Sequence, residues 1–156
     1  MKVKIKKLNK DAVVPFKARP GDFCYDVVAV SEEEVAPNVW KYGLGLAFEM
    51  VREEQDDMSF AIDFHNMNIA IDFRPRSSVW KTGMVLSNCE GTIDEMYRGE
   101  VMAIFYHLKT DMPRYKVGDR IGQIKLGYTL PMEFEEVSEL NMNTERGTGG
   151  FGSTGK

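Results

Sequence analysis

Cysteine is scarce in this chain, and long apolar runs are missing from it. The 156 residues include two cysteines, Cys24 and Cys89, which form no C-x-x-C pair and no Cys/His ligand cluster. A structural zinc site or a disulfide framework is therefore not expected. No stretch approaches the roughly 18 consecutive apolar residues of a membrane span, and the charged start MKVKIKKLNK lacks the apolar core of a signal peptide. We expect reduced thiols and a cytoplasmic protein without a membrane partner.

An excess of positive charge is also lacking. Lysine and arginine number 20 against 24 aspartates and glutamates, which gives a formal net charge of −4. A general nucleic-acid binder needs a positive surface for the phosphates, so nucleic acid is not an expected partner. A small anionic ligand is compatible with this balance, because a local group of arginines and backbone amides can outweigh a mildly acidic whole.

Sustained helical periodicity is the third missing feature. Short β-prone stretches alternate with glycine and proline turns, which indicates an all-β sandwich or barrel of the jelly-roll kind in one domain. The predicted strands cover residues 3–8, 24–30, 41–50, 101–108, 117–126 and 132–137. We further expect an acidic loop over 32–37, a hairpin over 61–73 with a turn at 65–68 and a solvent-facing Asp72, and one short helix capped by Ser77 or Ser78 and ended by Gly83.

Polar residues gather in the middle of the chain, within NCEGTIDEMYRGEVMAIFYHL at 88–108. This stretch predicts a hairpin, with an acidic bend closed by glycine and a buried second strand. Asp94 and Tyr97 lie three residues apart between Gly91 and Gly99. Because glycine allows a ligand to approach the main chain closely, the pattern favours a site for a planar ligand.

The tail RGTGGFGSTGK, at 146–156, contains five glycines and spells two phosphate-binding motifs. The G-x-G-x-x-G fingerprint and most of a P-loop are both present, but each motif needs a helix after it, and we expect none before Lys156. A flexible run of unhindered N–H groups with a guanidinium, hydroxyls and one aromatic ring remains. That set suits a triphosphate and a base.

Five stretches, in order along the chain, resemble the sequence motifs of the trimeric dUTP pyrophosphatases, the dUTPases. They are CYDVVA at 24–29, PRSS at 75–78, GTIDEMYRGE at 91–100, GDRIGQ at 118–123 and RGTGGFGSTG at 146–155. The last matches the family pattern R-G-x-G-G-F-G-S-T-G without a mismatch. The resemblance implies a dUTPase-like jelly-roll barrel or sandwich over residues 1–145, followed by a flexible glycine-rich lid arm over 146–156.

The resemblance also implies a reaction and a set of residues that perform it. The family hydrolyses dUTP to dUMP and pyrophosphate, with Mg²⁺ on the triphosphate and water attacking the α-phosphorus. Asp94 then corresponds to the general base, Tyr97 to the ring that packs on the deoxyribose, and Asp26 to a residue that touches a metal-bound water. Asn88, with backbone groups near Met102, corresponds to the uracil pocket.

The phosphate and lid contacts are implied in the same way. Ser77 and Gln123 correspond to phosphate contacts, with Arg76 and Ser78 beside them. The γ-phosphate clamp and the ring that covers the uracil lie in the tail: Arg146, Phe151, Gly152, Ser153 and Thr154. In the family, three chains build each of three sites, so the expected assembly is a homotrimer with shared active sites.

The sequence departs from the family pattern at two motif positions. Met96 stands where an acidic residue is usual, and Gly122 where alanine is usual. Two other functions stay open: a dCTP deaminase, which shares the fold but lacks the complete glycine-rich tail, and a signalling or binding protein that uses the nucleotide as a switch. Retention of Asp94, Asp26 and the tail favours turnover of dUTP.

Overall fold

Short strands make up almost all of the regular structure, as the sequence predicts. The structure, a computed structural model, describes residues 2–52 and 67–148. In these ranges the strands are β1 Lys2–Lys7, β2 Tyr25–Val28, β3 Ser31–Ala36, β4 Val39–Gly43, β5 Leu46–Val51, β6 Asn68–Pro75, β7 Met84–Leu86, β8 Gly91–Asp94, β9 Met102–His107 and β10 Arg120–Thr129. One 3-10 helix, Ser77–Thr82, separates β6 from β7. In the described ranges, no helix has the length and apolar character needed to cross a membrane.

The strands form two four-stranded antiparallel sheets and one two-stranded sheet. The β10 sheet has the order β2-β10-β6-β8, the β9 sheet has the order β3-β4-β9-β7, and β1 pairs with β5. The longest ladder joins β10 to β6, from Gly122 opposite Pro75 to Thr129 opposite Asn68. This ladder is the frame on which the candidate site residues of β2, β6, β8 and β10 are arranged.

The hydrophobic core lies between the two four-stranded sheets. Phe73 of β6 meets Phe105 of β9 edge-on, with ring centroids 6.4 Å apart, and Tyr42 of β4 lies 5.9 Å from Phe105. All three rings are buried. The strands β6 and β9 alternate between buried and exposed side chains, so each contributes one face to this core.

The predicted hairpin over 88–108 is wrong, because its two strands belong to different sheets. β8 pairs with β6 in the β10 sheet, whereas β9 pairs with β4 and β7 in the β9 sheet. Both strands have hairpin-like sequences, but each buries its apolar side chains against a partner distant in the chain. Burial, rather than proximity in sequence, selects the pairing.

Three boundaries of the predicted elements also differ. The acidic segment predicted as a loop is the edge strand β3, where Glu33 pairs with Lys41 of β4, since an edge strand can carry charge without burying it. The strand predicted over 41–50 is divided into β4 and β5 at Gly45, whose φ of +63° favours glycine. The 3-10 helix begins after Arg76 without a side-chain cap, while Gly83 ends it as predicted.

One predicted hairpin is only partly described, and one predicted strand is absent from the described residues. Residues 61–66 of the predicted 61–73 hairpin lie outside the described residues, and Asn68, expected in its turn, begins β6. Asp72, expected to face solvent, is 15% exposed and pairs with Lys125 Nζ at 2.6 Å. The strand predicted over 132–137 is not formed in this chain, where that segment is exposed and no described strand pairs with it.

Candidate functional site

A row of polar side chains crosses the β10 sheet at the end of β2. Asp26 of β2 stands opposite Gln123 of β10, which in turn stands opposite Arg74 of β6. Directly opposed residues of antiparallel strands share one face, so these side chains point the same way. The register therefore brings together Asp26 and Gln123, which lie 97 positions apart in the sequence.

Two guanidinium groups flank the Asp26 carboxylate. Arg120 Nη1 donates to Oδ2 at 2.8 Å, and Arg76 Nε lies 3.5 Å from Oδ1. The Asp26 side chain is only 14% exposed. With a guanidinium group beside each oxygen, this carboxylate is held in a fixed orientation.

The start of the 3-10 helix adds hydroxyl donors next to this row. Arg76 precedes the helix with an extended backbone, ψ of 154°, and Ser77 and Ser78 form its first two residues. Ser77 is exposed and Ser78 partly buried. Hydroxyls, an amide side chain and guanidinium groups within one small region can bind the oxygens of a phosphate chain.

The donor set near Asp26 suits a hydrated divalent cation better than a cage of protein ligands. In residues 2–52 and 67–148, no three His, Cys, Asp or Glu side chains lie close enough together to hold a metal ion. A single ion-paired carboxylate can still accept a hydrogen bond from a metal-bound water. Mg²⁺ commonly keeps several waters and takes its other oxygens from substrate phosphates.

The opposite edge of the β10 sheet carries Asp94, the last residue of β8. Its carbonyl accepts a 3.0 Å bond from the N–H of Tyr97, which closes a turn. Asp94 is exposed, and no side chain or N–H of the described ranges binds its carboxylate. The carboxylate is therefore open to a water molecule or a substrate. Met96 projects from this turn, 81% exposed.

Tyr97 folds back across Gly99. Its hydroxyl donates to the carbonyl of Glu100 at 3.0 Å, and a Cβ added at Gly99 would stand 2.6 Å from Cζ of the ring. Glycine at position 99 thus leaves the space that the ring occupies. The ring is still 43% exposed, so one face can pack against a sugar.

Asn88 follows β7 and Met102 begins β9, and both are expected in a uracil pocket. Leu86 pairs with Phe105, and the N–H of Ser87 donates to the carbonyl of Ile104 at 2.9 Å. The chain then turns, and the Asn88 amide lies beside Gly91, where an added Cβ would stand 3.6 Å from its Nδ2. Met102 is 47% exposed.

Asp26 and Asp94 are far apart within one chain. They lie on the two edge strands of the β10 sheet, separated by three strand spacings of about 4.8 Å. Along β6, the partner of Asp94 is Ala70, four residues from Arg74, which adds about 14 Å at about 3.4 Å per residue. The two Cα atoms are thus about 20 Å apart by these spacings. Within a single chain these two candidate residues therefore cannot contact the same small group.

Most of the predicted tail contacts cannot be placed. Phe151, Gly152, Ser153 and Thr154 lie outside the described residues, and Arg146 is exposed near the end of the described range.

Two arginines at the site were not predicted. Arg120 is part of the GDRIGQ stretch, but its contact with Asp26 becomes evident only from the β2–β10 register. Arg52, which contacts Glu95 next to Asp94, lies outside all five stretches.

Comparison with known proteins identifies one family. A family model described as dUTPase matches residues 54–155. The deoxyuridine 5'-triphosphate nucleotidohydrolase of Nautilia profundicola is 36% identical over the whole of both chains. The protein of the same name from Clostridium novyi is 34% identical over 99% of each chain.

Solved structures of similar fold are dUTPases of staphylococcal phages. The bacteriophage 80alpha dUTPase with dUPNHPP superposes with a TM-score of 0.76, at 21% identity and with 99% of each chain covered. That protein controls transfer of virulence genes by a proto-oncogenic G protein-like mechanism. The phage phi11 dUTPase, with a coordinated structural Mg(II) ion, gives a TM-score of 0.66 at 15% identity, covering 90% of this chain and 99% of its own. At these identities the likeness shows the fold.

Proposed function

The chain belongs to the dUTPase family, and on that premise we propose that it hydrolyses dUTP to dUMP and pyrophosphate. The observation that carries the proposal is the contrast between two carboxylates. Asp94 is exposed and has no described ion-pair partner, whereas Asp26 is enclosed by Arg120 and Arg76. The first can accept a proton from water, and the second can orient a charged ligand.

In the proposed mechanism, Asp94 removes a proton from the water that attacks the α-phosphorus. Phosphoryl transfer needs little covalent help from the protein, so orientation of the water and neutralisation of charge supply most of the rate. Tyr97 packs on the deoxyribose, where a ribose 2′-hydroxyl would clash. Asn88 and backbone groups near Met102 bind the uracil.

The phosphate chain is bound from the Asp26 side. Gln123, Ser77 and the neighbouring Arg76 and Ser78 donate to phosphate oxygens, and Asp26 would help to hold a hydrated Mg²⁺ by accepting a hydrogen bond from one of its waters. When bound, Mg²⁺ would neutralise charge on the triphosphate. The glycine-rich arm 146–156 supplies the remaining contacts as a lid: Arg146, Gly152, Ser153 and Thr154 at the γ-phosphate end and Phe151 over the uracil.

We also propose a homotrimer in which the two halves of the site come from different chains. The separation of about 20 Å supports this, because a nucleophile must stand about 3–3.5 Å from the atom it attacks. An exposed apolar row on the β9 sheet offers a surface for a second chain: Val85, Met102, Ile104 and Tyr106. The segment after β10 alternates exposed apolar residues, Leu130, Met132 and Phe134, as a strand would if it paired with another chain.

A cytoplasmic location suits this proposal. Both cysteines, Cys24 and Cys89, are free thiols, which a reducing compartment maintains.

A substrate panel tests the reaction. Pyrophosphate release is measured with dUTP, dCTP, dTTP and UTP, and ammonia release with dCTP. We expect pyrophosphate from dUTP at a kcat/KM well above that for the other three, and no ammonia. Ammonia from dCTP would instead indicate a deaminase, and binding of dUTP without turnover would indicate a nucleotide-switched protein.

A mixing experiment tests the shared site. Asp94→Asn and Asp26→Asn chains, each of low activity alone, are unfolded together in equal amounts and refolded. If Asp94 and Asp26 of one site come from different chains, each mixed trimer has one intact site, and random assembly restores about one quarter of wild-type activity. No recovery, or a monomeric active species in sedimentation, would contradict the shared site.

A further inference from the structure

Arg52 joins three separate parts of the chain next to Asp94. It follows β5 and donates from Nε to Oε1 of Glu95 at 3.0 Å and from Nη2 to Oε2 at 2.9 Å. The same Nη2 donates to the carbonyl of Met67 at 2.9 Å, immediately before β6. The guanidinium therefore links the end of β5, the start of β6 and the turn after β8.

Glu95 is the second residue of the turn that begins with Asp94. The turn is closed by the bond from Tyr97 N–H to the Asp94 carbonyl, and Arg98 Nη1 donates to the carbonyls of Glu95 and Tyr97 at 2.6 and 3.0 Å. Holding the Glu95 side chain thus limits rotation of the peptide that follows Asp94. Glu95 reaches Arg52, whereas the neighbouring Met96 is exposed.

The pair has the geometry of a specific contact. Arg52 and Glu95 side chains are 28% and 30% exposed, so both are partly withdrawn from solvent. A guanidinium that binds both oxygens of a carboxylate determines direction as well as distance, which a lysine ammonium does not.

We propose that Arg52 is a positioning residue for the reaction: through Glu95 it sets the orientation of the Asp94 carboxylate toward the attacking water. The inference rests on the proposed function, because it takes Asp94 as the general base. Misplacement of a reacting group by about 1 Å can cost on the order of 10²-fold in rate, so a loosened turn should lower kcat.

The test measures kcat and KM for dUTP, per folded protein, in wild type, Arg52→Gln, Arg52→Lys and Glu95→Gln. We expect Arg52→Gln and Glu95→Gln to lower kcat about 10- to 100-fold while KM changes less than about threefold. Arg52→Lys should be intermediate, since it keeps the charge but loses the second hydrogen bond. The control is Lys4→Gln, which removes the exposed pair, 3.2 Å long, between Lys4 of β1 and Glu49 of β5; it should leave kcat unchanged.

The double variant Arg52→Gln/Glu95→Gln separates positioning from general loss of stability. If Arg52 acts through Glu95, the double variant loses no more kcat than either single variant. A purely structural role would lower the thermal midpoint but leave kcat of the folded protein at the wild-type value, and that result overturns the inference. Should Arg52→Gln fail to fold, the nearly isosteric Glu95→Gln decides alone.

The Asp94→Asn variant shows whether a negative result concerns Arg52 alone or the proposed function as a whole. If Asp94→Asn is inactive and both Arg52→Gln and Glu95→Gln keep the wild-type kcat, only the role of Arg52 is wrong. If Asp94→Asn hydrolyses dUTP as fast as wild type, Asp94 is not the base, and both conclusions fall.

Discussion

The two edges of the β10 sheet each carry a carboxylate of the proposed site, but they surround it differently. At the β2 edge, Asp26 is 14% exposed between Arg120 and Arg76. At the β8 edge, Asp94 is exposed at the end of its strand, and the nearby arginine pairs with the neighbouring Glu95 instead. Two chemically identical side chains thus differ in what their oxygens can bind, because the guanidinium groups beside Asp26 already occupy its oxygens.

The largest effect on activity should come from the β8 edge, where Asp94 is exposed. Asp94→Asn removes the only proposed proton acceptor, so we expect kcat for dUTP to fall about 10²- to 10⁴-fold. Pyrophosphate release measures this. Asp111→Asn, in an exposed turn and outside the proposed site residues, is the control and should keep full activity. An equal loss of kcat in Asp94→Asn and Asp111→Asn would show that the loss is not specific to Asp94.

At the β2 edge, where Asp26 is paired with arginines, we expect a change in the Mg²⁺ requirement. Asp26→Asn removes the carboxylate that accepts a hydrogen bond from a metal-bound water, and we expect the Mg²⁺ concentration for half-maximal activity to rise about 10- to 100-fold. The measurement is an Mg²⁺ titration at saturating dUTP. Asp94→Asn should keep the wild-type Mg²⁺ requirement in its residual activity. If both variants shift equally, the two carboxylates do not have separate roles.

A third effect concerns stability on β10, the strand next to the β2 edge. A Cβ at Gly122 would stand 2.6 Å from Cε2 of Phe73, a buried ring, and 2.8 Å from the carbonyl of Arg74. This close contact accounts for glycine where the family usually has alanine. Gly122→Ala should lower the free energy of unfolding by about 1–3 kcal/mol.

Urea unfolding checks that value. Gly21→Ala is the matched control, because no atom lies within 4 Å of a Cβ added there, and we expect a change within about 1 kcal/mol. A Gly122→Ala protein as stable as wild type would mean that Phe73 can move aside at little cost.

The smallest effect is a pH dependence of stability at the β8 edge. The hydrogen bond from Arg52 is the main reason that the pKa of Glu95 lies below its ordinary value of 4.5. A lowered folded-state pKa contributes stability above pH 4.5 that is lost as the pH falls through the lower folded value. The stability difference between wild type and Glu95→Gln, about 1 kcal/mol or less for such a pair, should therefore be largest at neutral pH and shrink in acid.

Unfolding in urea at pH 7 and at pH 4 or below measures this difference. Glu90→Gln breaks the more exposed Arg74–Glu90 pair at the other end of β8 and is the control. A Glu95→Gln difference that stays constant over this range would show that the pair adds no pH-dependent stability.

Local sequence patterns were sufficient for the fold class, for the glycine that ends the helix and for the glycine-flanked segment that carries Asp94 and Tyr97. Alternating strands, Gly83 at the helix end, and the arrangement of Asp94 and Tyr97 between glycines all depend on neighbours within a few positions. Such short-range features are determined by backbone preferences and side-chain chemistry, which are readable from the order of residues.

Tertiary structure decided which strands pair and therefore which charges meet. β8 and β9 look like a hairpin in sequence but enter different sheets, and the Asp26–Arg120 and Arg52–Glu95 pairs join residues 94 and 43 positions apart. Strand partners are chosen by burial of apolar faces across the whole domain, which no local pattern encodes. For the same reason the separation of Asp26 from Asp94, which supports the proposal of a site shared between chains, followed only from the register of the β10 sheet.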